Sequence, residues 1–313
     1  MRPPVMSLLA LLAVGSCPPA VAQRASAEGD RSWVDTSYEY VTNRADTLSQ
    51  QFDSFFGEAD AERESADSVL RLQSEYEWNE QEQSDARIRL RGKVDLPQLN
   101  RRLSLVFGEE NDYRNDVLPS TEEQDGDVGL QYSLLDRARS RLDLSFGTNA
   151  SLDFHTSLRY RYLQPVNDRL SLRFTERLYL KEGDGTGSIT RGDIDYSFST
   201  DRILRFTSDV EYGQETDGAE WGSRLSYLLK ISPRAALSYF VAVSGQTEPR
   251  HITDAYAIGI RYRRNVLRPW IFVEVEPSHL WRRETEDDRR EPAWAISFRL
   301  ELLEEIRNRH HER

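Results

Sequence analysis

The sequence predicts an all-β, membrane-crossing protein: a transmembrane antiparallel up-and-down β-barrel of about 14 strands (roughly 12 to 16), preceded by a short amphipathic helix. Three observations carry this. From Ser68 onward, segments of about ten residues alternate apolar and polar side chains. The connections between them alternate long and short. The chain opens with the parts of an export signal.

The signal comes first along the chain. Arg2 supplies positive charge, Val5 to Val14 form an apolar run, and Ala20-Val21-Ala22 gives a small-x-small cleavage pattern. A run of this length cannot span a bilayer as a helix, which needs about 20 residues. Residues 1–22 therefore read as a signal peptide removed before Gln23. The single cysteine, Cys17, lies within it. Val14-Gly15-Ser16-Cys17 also resembles a lipoprotein lipobox, which would make Cys17 a lipidated N-terminus; the nearby Ala-Val-Ala site and the following Pro18-Pro19 favour simple cleavage. A mature chain without cysteine suits transit through an oxidising compartment.

Residues 23–67 form a segment ahead of the barrel. Val34, Tyr38, Val41, Ala45, Leu48, Phe52 and Phe55 recur at steps of three and four, which predicts one apolar stripe of a helix over 33–57. Gly57 is a natural stop. Asp35, Glu39, Arg44, Asp46 and Asp53 take the opposite side. The stripe suits docking on the barrel or across its mouth. It also suits a partner-binding helix, with Val34, Tyr38, Val41, Leu48, Phe52 and Phe55 as the contact residues. A plug deep in the lumen is disfavoured, because the stripe would face polar walls. Residues 58–67 are acidic and small and read as a linker.

The barrel is predicted over 68–303. Leu70, Leu72, Tyr76 and Trp78 alternate with Arg71, Gln73, Glu75 and Glu77. Ile88 and Leu90 alternate with Arg87, Arg89 and Arg91. The same pattern recurs around Leu105, Leu130, Leu144, Leu158, Phe174, Ile194, Thr207, Leu225, Phe240, Ile258, Val273 and Phe298. The segment at Trp270-Ile271-Phe272-Val273 is apolar on both faces, so its alternation is weak. Residues 304–313 read as a charged tail.

The longer connections are Glu80–Asp85, Gly108–Gln124, Gly147–Ser151, Lys181–Gly187, Gly213–Glu220, Gly245–Thr253 and Arg282–Glu291, mostly acidic. The turns between them are mostly shorter and basic, such as Pro165–Asp168, Thr200–Arg202 and Ser232–Arg234. Aromatic residues such as Tyr76, Trp78, Tyr160, Tyr162, Tyr212, Trp270 and Trp294 gather near strand ends, as interfacial girdles do. A soluble β-sandwich would also alternate, but it gives no reason for the export signal or for alternating loop lengths. The net charge of −12 excludes the basic footprint of a nucleic-acid binder.

On these residues the chain resembles Gram-negative outer-membrane β-barrel proteins as a class. The resemblance covers the signal, Ser68 to Leu303, and a terminal strand, Ala293 to Leu302, similar to the signal read by the barrel-assembly machinery. That strand departs from the usual pattern in lacking a terminal aromatic. The resemblance implies an outer-membrane location, with residues 23–67 in the periplasm. It implies contact with membrane lipid and lipopolysaccharide, and the assembly machinery as a partner in biogenesis. It implies no cofactor.

If the apolar faces meet lipid, the other faces line the lumen. The candidates are Arg71, Arg89, Arg91, Arg141, Arg159, Arg161, Arg173, Arg177, Arg205, Arg224 and Arg261, with Glu75, Asp143 and Glu274. Arg139, Arg169, Lys230, Arg263 and Arg299 share their phase. A net-basic lumen would favour small anionic solutes, as a channel or porin would. With a turn near Glu82, Glu77 would face Arg87 and Glu75 would face Arg89. Such ion pairs hold a wall together, so a closed structural or envelope-assembly barrel acting through its N-terminal helix is the alternative. A membrane-embedded hydrolase is a third reading, because Asp153, His155 and Ser157 share one inward face. Steps of about 7 Å along one strand are too long for a direct triad. The chain is therefore expected to be no enzyme. No cofactor or metal site is expected either: His279, His310 and His311 lack ligand spacing.

Overall fold

The computed structural model describes residues 44–56 and 68–306, apart from 82–83, 101, 109–126, 150, 184, 217 and 284–288. Among the described residues, one helix, α1 (Arg44–Phe56), precedes fourteen strands. They are β1 (Ser68–Asn79), β2 (Asp85–Asp95), β3 (Leu103–Phe107), β4 (Val128–Asp136), β5 (Ser140–Thr148), β6 (Phe154–Asn167) and β7 (Leu170–Lys181). Then follow β8 (Gly185–Ser199), β9 (Arg202–Gly213), β10 (Ala219–Ser232), β11 (Ala235–Gln246), β12 (Ile252–Asn265), β13 (Ile271–Arg282) and β14 (Glu291–Ile306).

Each strand pairs antiparallel with its sequence neighbours, and β1 pairs with β14, so the sheet closes into a barrel with no free edge. That is what a bilayer demands, because an unpaired backbone group in hydrocarbon has no water to satisfy it. The seam is long, from Ser68 opposite Ile306 to Asn79 opposite Ala295. It therefore extends beyond the predicted end at 303: Glu304 to Ile306 belong to β14 rather than to a free tail. All fourteen expected strand centres fall within strands, including those at Ile194 and Val273.

Burial settles which face is which. Along β1, Arg71 is 1% exposed and Glu75 6%, whereas Leu72 is 42% exposed and Tyr76 47%. Charge inside and apolar surface outside is the reverse of a soluble sandwich, and the outward residues form the lipid-facing band of a transmembrane barrel. At one end the strands join through two-residue turns in several places, at 168–169, 200–201 and 233–234. We call this the turn end. The opposite, loop end carries the longer connections.

The first hairpin departs from expectation by two residues. Glu75 faces Arg87, and Glu77 faces Asp85. The reversal is centred on Gln81, one residue closer to β1 than a turn centred on Glu82 would place it. The Glu75–Arg89 ion pair still forms, diagonally, at 3.2 Å. Gly92 of β2 takes φ +134°, and a Cβ there would collide with the Val69 carbonyl. Only glycine fits that close approach.

Candidate functional site

The lumen wall is a lattice of buried ion pairs. Across β12, β13, β14 and β1, Glu274 lies 3.5 Å from Arg261 and 3.3 Å from Arg263, and also accepts a bond from Arg299. Glu301 joins Arg71 and Arg263. Glu75 takes Arg299 Nε at 2.7 Å. On β5 and β6, Asp143 pairs with Arg141 at 2.8 Å and lies 3.7 Å from Arg159. Breaking one partner of such a set strands a buried charge, so the lattice resists piecemeal change.

The predicted lumen residues Arg71, Arg89, Arg91, Arg141, Arg159, Arg161, Arg173, Arg177, Arg205, Arg224, Arg261, Glu75, Asp143 and Glu274 all fall in the inward phase and are buried or half-buried. Arg139 and Arg169 instead sit exposed in turns, and Lys230 is exposed near the turn end. Asp153 stands outside β6 and binds Asn149, so Asp153, His155 and Ser157 are not assembled into a triad.

The main departure from expectation is α1, which lies inside the lumen at the turn end. Its residues touch wall positions near the turn-end termini of their strands: Ile203 near the start of β9, Ala236 near the start of β11, and Leu228 of β10. Together with Leu48, Phe52 and Phe56 these form one buried apolar cluster. The objection to a lumen plug, a polar wall, fails at this spot because the wall there turns apolar. The buried stripe is also rotated from the expected one. It comprises Leu48, Ser49, Phe52, Asp53 and Phe56, so it carries a carboxylate and a hydroxyl among its aromatics. Phe55 is half-buried at its margin. Described helix begins at Arg44; Val34, Tyr38 and Val41 lie outside the described residues.

Asp53 is the polar anchor. Its carboxylate lies 2.9 Å from Arg173 Nη1 and 2.5 Å from Arg205 Nη1. Both arginines are held from the wall side through Nε: Arg173 by Asp193 at 3.0 Å, Arg205 by Asp195 at 2.7 Å. Arg205 also donates to Ser49 Oγ at 2.6 Å, and Ser49 donates to Asp195. Burial alone would push the Asp53 carboxyl up, but Arg205 and then Arg173 hold it below the ordinary aspartate value.

The opposite wall holds α1 too. Phe55 meets Phe272 of β13 edge-on, with centroids 5.7 Å apart, and Arg263 stacks on Phe272 at 4.4 Å. Arg71 of β1 donates a long bond, 3.4 Å, to the Ser54 carbonyl near the helix C-terminus, where a cation is favoured. Strands β1 and β8 lie half-way round the ring from each other. The helix is therefore a bar across the lumen.

Two spaces flank the bar. Beyond Phe56 is a cavity of about 30 Å³ lined by Arg191, Arg205, Arg224, Arg261, Ser226 and Ser238, among others. On the open side is a pocket of about 540 Å³, bounded by residues including Gln51, Phe55, Lys230, Pro269, Phe272 and Leu303.

Fold and site together define a transmembrane β-barrel with a helix seated in its lumen. No protein-family model matches the sequence, and no curated protein matches it. Solved structures similar to it include Pseudomonas aeruginosa OprD, with 10% identity and TM-score 0.44, over 86% of this chain and 100% of that one. The KdgM porin in complex with disordered oligogalacturonate has 7% identity and TM-score 0.39, over 74% and 98%. CdiB from Acinetobacter baumannii has 10% identity and TM-score 0.48, over 77% and 60%. These are likenesses of barrel to barrel.

Proposed function

We propose that this protein is a porin-like channel of the Gram-negative outer membrane, closed in the present conformation by α1 and open when α1 leaves. The turn end then faces the periplasm, the apolar band meets lipid and lipopolysaccharide, and β14 is the strand offered to the assembly machinery. The observation that supports this reading is the seat of α1. The bar is held by one carboxylate, a few aromatics and single hydrogen bonds, whereas the wall is held by a continuous ladder. A fourteen-strand ring is wide enough to leave an aqueous passage once such a bar is removed. The arginines left lining that passage would favour small anionic solutes.

A second reading is a closed, structural barrel. The density of the Glu274 and Glu301 lattice favours it, because long paired side chains narrow a lumen by themselves. Planar-bilayer conductance separates the two. The channel reading expects little current from the intact protein, and steady anion-selective current from Asp53→Asn combined with Phe52→Ala. A folded, heat-modifiable double variant that passes no current sinks the channel reading and leaves the structural one.

A further inference from the structure

We propose that Arg173 and Arg205 form a carboxylate-binding site in the lumen, that Asp53 of the chain's own helix occupies it in the closed state, and that a free carboxylate solute takes the place of Asp53 and releases the helix. This rests on the channel reading above and names the ligand class of its lumen.

The geometry of the two guanidiniums supports it. Each is fixed from behind through Nε by a wall carboxylate, Asp193 or Asp195, and each turns Nη1 to the carboxylate of Asp53. The pair is thus oriented by the wall, with or without the helix. Guanidiniums stay charged at any working pH and match planar carboxylates through paired donors. The group they now grip comes from a separate element, not from a neighbouring strand. When α1 withdraws, Arg173 and Arg205 each lose one carboxylate contact in a buried place, and an incoming carboxylate restores both. Chloride offers no planar pair of acceptors, and an amide offers no charge.

The adjoining cavity sets the chemistry that a guest meets. It starts at Arg205 and is walled by Arg191, Arg224 and Arg261 with the hydroxyls of Ser226 and Ser238. A small carboxylate with a second anionic or hydroxyl group fits that chemistry better than a long apolar acid. Exchange needs no covalent step: one carboxylate leaves the guanidiniums and another arrives. A solute that binds only the helix-free state shifts the population toward it in proportion to its concentration.

The test is a spin-label distance on the full mature chain. The only natural cysteine is Cys17, so Gln51→Cys on α1 and Arg234→Cys in an exposed turn give one labelled pair. Acetate and succinate are titrated against chloride and succinamide at matched ionic strength. The short, seated distance is expected to lose population with the carboxylates and to persist with the controls. Asp53→Asn should raise the released fraction by about two to three orders of magnitude, as expected for loss of one partner of a buried pair. Arg173→Gln should blunt the succinate response. An unchanged distance up to about 100 mM carboxylate, above the millimolar range of a tethered group, overturns the proposal. So does an Asp53→Asn helix that stays seated. If succinate releases the helix and the released form passes no current, the site stands and the channel reading falls, so the two fail separately.

Discussion

Glu274 sits on a wall strand among Arg261, Arg263 and Arg299; Asp53 sits on a helix between Arg173 and Arg205. Both are buried carboxylates neutralised by guanidiniums. They differ in what carries them. Glu274 is fixed by the strand ladders to β12 and β14, so its arginines cannot be surrendered without disturbing the sheet. Asp53 is fixed by side chains alone, so its arginines can be surrendered while every strand stays paired. The same chemistry is structural in one place and reversible in the other.

The largest effect should come from breaking the wall. Glu274→Ala leaves three guanidiniums, Arg263 buried and Arg261 and Arg299 half-buried, short of an acceptor and should cost about 3–5 kcal/mol of barrel stability, read as a lower heat-modifiability transition in gel shift. Phe52→Ala removes a fully buried ring from the bar. It should cost about 3–5 kcal/mol of docking at most, with the barrel's own transition unmoved; an equal loss in both would show that bar and wall are one unit. A double-mutant cycle between Phe55 and Phe272 should return about 0.5–1.5 kcal/mol for the edge-on pair, again in docking.

The smallest effect is expected from mild acid. The seated Asp53 has a depressed pKa, so its contribution is fully present above the undocked value, about 3.9, and is lost as pH falls through the lower seated value. The groups facing it are Arg173, Arg205 and Ser49, with Asp193 and Asp195 behind, and the arginines do not titrate. The label distance should therefore hold from about pH 7 to about pH 5. Release within that window would mean that another group holds the bar.

The barrel was legible because most strands repeat with period two over most of their length and because loop lengths alternate. The lumen arginines followed from the same phase. The seat of α1 was not legible, because alternation says that a residue faces inward without saying what waits there. A signal did exist. At Ile203-Leu204, Leu228-Leu229, Ala236-Leu237 and Phe272-Val273 two adjacent strand residues are both apolar, so one of each pair must face the lumen. All four lie toward the turn end, and Ile203, Leu228, Ala236 and Phe272 are the ones that meet the helix. Asp53 was hidden for a different reason. It was placed on the polar side of a stripe that the fold turns slightly toward it.

The helix that bars the lumen is joined to the first strand through residues 57–67. A chain of that length reaches at most about 40 Å. A withdrawn bar therefore never diffuses away, and it faces its seat at an effective concentration of order millimolar. Any rival for that seat must contend with a local supply that dilution of the protein cannot lower. Occupancy then depends on the amount of rival outside and not on how many copies of the protein the membrane holds.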